Sequence, residues 1–204
     1  MANWTVLELA SLAERHPQLA FYEMYGLEAV IRLSLDPVRS RATVARRTVA
    51  VEYLAAGATE PVLLTRELDW AGSFTEGVCT QGWRTGPERD ITEKAALVVM
   101  ALLIHDIAGI EIQEVERAST GPDYTAAVVQ SGETTWVEVS GIREDDLSTA
   151  RARVREKREQ LLENYPHGYV SVTTFSLLPG RELYSFLHCV GTPPRSKSRK
   201  RKRR

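Results

Sequence analysis

The stretch "GPDYTAAVVQSGETTWVEVSG", residues 121–141, places two carboxylates where strands are expected. DYTAAVV and TTWVEVS are rich in β-branched and aromatic residues, and the Gln-Ser-Gly-Glu between them is a hairpin signal. Asp123 follows Gly-Pro at the mouth of the first run and Glu138 sits inside the second, where acids are depleted and ordinarily cost stability. With Ser131 and Gly132 as the central turn pair, Asp123 falls opposite Ser140 and Thr125 opposite Glu138. Period-two alternation then puts Asp123 and Glu138 on one face as diagonal neighbours, together with Trp136 and Ser140. A four-residue turn keeps that parity; a three-residue turn breaks it. Tyr124, Val128, Val137 and Val139 form the other face. Two acids on one partly buried face repel each other, and a cation between them relieves the repulsion. A hard divalent ion, Mg2+ or Mn2+, takes oxygen ligands of this kind and keeps waters for phosphate chemistry.

Outward from the hairpin, the pattern stays legible. DITEKAALVVMALLIHDIAG, from Asp90 to Gly109, reads as a helix that is apolar all round over residues 95–104 and therefore buried on most sides. IEIQEVERA alternates like a strand. DDLSTARARVREKREQLLEN is an amphipathic helix with acids at its start and Leu147, Ala150, Val154 and Leu161 on its core face. GYVSVTTFSLL is a strand and ELYSFLHCV a further candidate. The order from residue 90 is α-β-β-β-α-β, an α/β core. Residues 1–80 read as a small, mostly helical N-terminal region of unassigned role: TVLELASLAERH and TVARRTVAVEYLAAG both look helical, the second ending at Gly57. Residues 80–90 are a loop by composition.

This arrangement resembles the restriction-endonuclease-like superfamily, the PD-(D/E)XK nucleases. The family core is α-β-β-β-α-β, with a Glu on the first helix, an Asp opening the second strand, and Glu-x-Lys on the third. Glu93, Pro122-Asp123 and Glu138-Val139-Ser140 stand at the matching places over residues 90–190. The resemblance implies a nuclease that hydrolyses phosphodiester bonds in DNA or RNA, with Asp123 and Glu138 ligating Mg or Mn and Glu93 in support. Glu93 is equally an acid that suits the first turn of a helix. Ser140 replaces the family lysine, and an ordinary hydroxyl cannot supply its charge. Some relatives bring that lysine from the following helix. Here Lys157, at the border of the helix's core face, is the candidate, since its ammonium can snorkel toward the sheet. Arg158 lies nearer the centre of that face and competes. Alternatively, both pair with Glu156, Glu159 or Glu163 on a solvated surface. Without the strand lysine, an inactive nuclease-fold protein that binds nucleic acid or a protein partner is the other reading.

Charge adds an asymmetry to the 204-residue chain. The ten residues from Arg195 hold eight of its 26 basic side chains and none of its 27 acids, which leaves the first 194 nine charges negative. Residues 193–204 read as a disordered tail, and Arg199, Lys200, Arg201, Lys202, Arg203 and Arg204 could meet a polyanion or simply be solvated. Arg151 and Arg155, one helical turn apart, are candidates for phosphate contacts. No run of 18 apolar residues is present, and the N-terminus lacks a basic, signal-like region; a cytoplasmic chain without membrane contact is the expectation. Cys79 and Cys189 have no metal-ligand spacing, and no Gly-rich phosphate loop or Ser/His/Asp set occurs.

Overall fold

Residues 95–104 contain no polar side chain, so a helix through them has no face for water and must be covered on every side. The computed structural model, which describes residues 5–20, 22, 26–30, 46–70, 88–115, 122–143, 146–175 and 183–191, shows how the cover is supplied. Helix α1, Glu88–Ala108, buries all ten of these side chains. One side lies on a β-sheet, in one cluster with Leu7, Val51, Ala126, Val137 and Leu187; the rest of that cluster is supplied by Leu9, Leu12, Leu19, Leu27 and Val30 from the N-terminal segment. The N-terminal residues thus complete the core around α1.

Among the described residues the sheet has eight strands, and the architecture is mixed α/β. In chain order they are β1 (Thr5–Glu8), β2 (Arg46–Leu54), β3 (Val62–Asp69), β4 (Ile110–Val115), β5 (Tyr124–Val128), β6 (Thr134–Ile142), β7 (His167–Thr174) and β8 (Leu183–Gly191). Their spatial order is β1-β3-β2-β8-β7-β6-β5-β4. β4, β5 and β6 form an antiparallel meander, and β6 pairs with β7 in parallel. Parallel neighbours need a crossover, and helix α2, Leu147–Asn164, provides it. Asp146 caps α2, its carboxylate accepting the Ser148 N–H at 2.8 Å. Ala150, Val154 and Leu161 of α2 pack on Val170, Val172, Phe186 and Val190, on the sheet face opposite α1.

The mostly helical reading of residues 1–80 is corrected. TVARRTVAVEYLAAG contains β2, in which Val49 and Val51 alternate into the core, and only the Ala-Ala-Gly end imitates a helix stop. Of TVLELASLAERH, Leu12–Arg15 is a single helical turn, preceded by β1 and a short 3-10 turn. β2 pairs with β8 in parallel, so residues 46–69 extend the same sheet that carries the rest. No helix among the described residues is long and apolar enough to cross a membrane.

Two contacts fix α1 in place. Gly141 of β6 faces its first turns, where a Cβ would lie 2.5 Å from the Thr92 carbonyl oxygen; any side chain there would push helix and strand apart. On the other side, fully buried His16 bridges two backbones: Nε2–H donates to the Ala101 carbonyl at 2.8 Å, and Nδ1 accepts the Ile112 N–H at 2.9 Å. A carbonyl only accepts and an amide N–H only donates, so this pairing selects the neutral Nε2–H tautomer.

Burial holds His16 down to about 4, although its bond to Ala101 opposes the shift. The unfolded chain takes up this proton near pH 6.5 and the folded chain does not, so the stabilisation is complete above pH 6.5 and is lost as pH falls toward about 4. Urea unfolding of the wild type should lose about 2 kcal/mol more between pH 7 and pH 5 than that of His16→Gln, which cannot titrate. Equal losses in both proteins would show that His16 is not held neutral.

Candidate active site

The β5–β6 hairpin turns through four residues, not two. Val128 N–H donates to the Glu133 carbonyl at 2.9 Å, and Gly132 takes a left-handed φ of 70° in the loop between them. Tyr124 therefore pairs with Val137, and Asp123, one step outward, faces Glu138 directly instead of diagonally. The parity survives, and both acids lie on the α2 face of the sheet. β5 ends at Tyr124, leaving the next ladder donor of β6 without a strand partner. Asp123 fills that place: its Oδ2 accepts the Val139 N–H at 2.7 Å.

Glu138 is buried, and Lys157 of α2 reaches it: Nζ donates to Oε2 at 2.6 Å, with both side chains largely out of solvent. Burial raises the Glu138 carboxyl above the ordinary range; the Lys157 hydrogen bond opposes that, and the neighbouring Asp123 charge adds to it. Of the two competing cations on α2, Lys157 is thus the one that meets the acids. Arg158 instead acts on His188, whose pKa burial lowers, with the Arg158 charge adding to the shift and Glu52 opposing it. The solvated pairing of Lys157 with Glu156, Glu159 or Glu163 does not form; Glu156 instead binds Arg153.

Ser140 is two residues along β6 on the same face. Its Oγ accepts from Arg153 Nε at 3.1 Å, so a guanidinium stands over the position of the missing strand lysine. Beside this pair a groove of about 480 Å³ runs between the end of β6, from Ser140 to Arg143, and the first half of α2, from Thr149 to Glu156.

The other sequence candidates separate. Glu93 is exposed near the start of α1 and close enough to Tyr124 for its charge to help raise that phenol, after burial and Asp123. No group of three His, Cys, Asp or Glu side chains among the described residues has metal-holding geometry, so Glu93 does not form a triad with Asp123 and Glu138. Arg151 turns toward the sheet: Nη2 bonds Glu52 Oε2 at 3.2 Å, and the guanidinium lies 5.8 Å from the centre of the Phe186 ring. Arg155 is exposed on α2. The basic residues Arg199 to Arg204 lie outside the described residues. His188, which looks isolated along the chain, has Nε2 3.4 Å from Glu52 Oε1. Sequence reasoning missed this partner because β2 was read as a helix, which hides which side of the sheet Glu52 faces.

As oxygen donors the pair suits a hard divalent cation. The Lys157 and Val139 contacts each use one oxygen of a carboxylate, and the two carboxyl groups also interact with each other across the shared face. The two acids have different structural roles, which predicts opposite responses. Asp123→Asn keeps an acceptor for the Val139 N–H and removes a repelling charge, so its melting temperature should equal or exceed that of the wild type. Glu138→Ala strands a mostly buried ammonium and should cost about 3 kcal/mol, much of it regained in Glu138→Ala/Lys157→Met. Thermal melts of the three variants check both; loss of stability in Asp123→Asn would contradict the repulsion.

Comparison with known proteins finds no protein-family model, no curated protein and no solved structure that matches the chain, so the chemistry of the site rests on its own residues.

Proposed function

We propose that the chain is a metal-dependent nuclease, hydrolysing phosphodiester bonds in DNA or RNA from a restriction-endonuclease-like arrangement of α1, β4, β5, β6, α2 and β7. The observation that carries this reading is the meeting of Asp123, Glu138 and Lys157, from a strand mouth, a strand and a helix, on one face. Asp123 and Glu138 would hold Mg or Mn as carboxylate ligands. The ion, when bound, supplies a polarised phosphoryl oxygen and a water of lowered pKa. Lys157 directs a fixed positive charge toward the phosphate, where negative charge grows in the transition state; its burial beside Glu138 strengthens that field over what water would allow. Ser140 cannot contribute charge, so the helix lysine takes over the strand lysine's task.

A catalytically inactive module that binds nucleic acid or a protein partner is the second reading. Ser140 favours it, as does the Lys157–Glu138 pair, which already places a cation beside the acids. Cleavage of a labelled oligonucleotide with Mn2+, together with calorimetry of Mn2+ binding, separates the two. The nuclease reading expects no cleavage by Asp123→Ala, and a turnover about 100-fold lower in Lys157→Ala with metal binding retained. Full turnover in Lys157→Ala would remove that residue from the reaction. A wild-type protein that binds Mn2+ and cleaves nothing would leave the binding module.

A further inference from the structure

The pairs Lys157–Glu138 and Arg153–Ser140 are two rungs of one ladder between α2 and β6. Four helical residues separate the cations, about 6 Å of rise, and two strand residues separate their partners, about 7 Å. The helix and strand spacings agree, so the rungs are parallel and one step apart. That step is comparable to one nucleotide of a nucleic-acid backbone. The groove of about 480 Å³ begins at the second rung and runs away from Glu138, toward Arg143 and Thr149. A strand with its reacting phosphate at the first rung would therefore carry its neighbouring phosphate past Arg153.

Arg153 is built to receive an anion. Nε is anchored on Ser140, and Nη1 bonds both oxygens of Glu156 at 2.7 Å. Neither contact uses Nη2. The Arg153 and Glu156 side chains are 38% and 49% exposed, and a solvent-exposed pair of this kind contributes little stability, so the carboxylate is readily exchanged. Arginine's planar fork matches a phosphate as well as it matches a carboxylate.

We propose that Arg153, oriented by Ser140, binds the phosphate adjacent to the reacting one on the same strand, and that Glu156 is an internal competitor which this phosphate displaces. This deepens the nuclease reading and rests on it for the identity of the first rung; the groove itself can be tested without turnover. The probe is a short fluorescein-labelled single-stranded oligonucleotide, its binding to the full chain followed by fluorescence anisotropy in EDTA across a salt series. Arg153→Ala should weaken binding about tenfold and reduce the slope of log affinity against log salt by about 0.7, the counterion term for one single-strand phosphate. Glu156→Gln, a surface change, should tighten binding several-fold. Arg153→Lys should keep the salt slope but recover only part of the affinity, since charge returns without the fork. In cleavage assays Arg153→Ala should raise KM with kcat nearly unchanged. Unchanged affinity and salt slope in Arg153→Ala would overturn the proposal whether or not the wild type cleaves. Unchanged affinity in Glu156→Gln would overturn the competitor role. A wild type that binds through Arg153 but never cleaves would defeat the nuclease reading and keep the groove.

Discussion

Everything in this fold follows from a helix that cannot tolerate water on any side. Ten apolar residues in the middle of α1 need a sheet beneath them and more chain above. Hydrophobic burial supplies the drive but not the direction, because it is indifferent to which apolar group covers which. Direction comes from the few polar and steric contacts around the helix. His16 ties the covering segment to one carbonyl of α1 and one amide of β4, and the bare backbone of Gly141 lets the helix's first turns settle onto β6. The strand under those first turns is the strand that carries Glu138.

On the other face, α2 is an amphipathic helix whose polar border has been put to use. Its apolar side packs over β7 and β8, and its flanking cations divide: Lys157 and Arg153 descend toward β6, while Arg151 descends toward Glu52 on β2. Each of these long side chains delivers its charge to an acceptor on the sheet. One helix thereby serves two polar rows, and its position decides the geometry of both.

The hairpin, the two long helices and the α-β-β-β-α-β order were legible because each element there has a clean period. The shared face of Asp123 and Glu138 was legible for the same reason, since parity survives an error of two in the register. The register itself was not, because choosing between a two- and a four-residue turn depends on where Gly132 adopts its left-handed φ. Lys157 could be located at the border of a helical face, but its choice of Glu138 over the glutamates on its own helix is a tertiary event. β2 escaped for a different reason. A half-exposed strand followed by Ala-Ala-Gly looks like a helix until its parallel partner, β8, is known.

That parallel partner sets a limit on how the chain can be divided. The segment from α1 onward reads as a self-sufficient unit, yet β8 lies in the interior of the sheet, flanked by β7 on one side and β2 on the other. Excising the first 80 residues would turn β8 into a raw edge, carrying Phe186 and Leu187 beside a row of unpaired amides, and would strip the cover from Val98 and Leu102. A fragment cut at that boundary would seek its own copies through the exposed edge. The half that carries Asp123 and Glu138 is portable on paper only; in the molecule, its inner strand is paired by the residues that precede it.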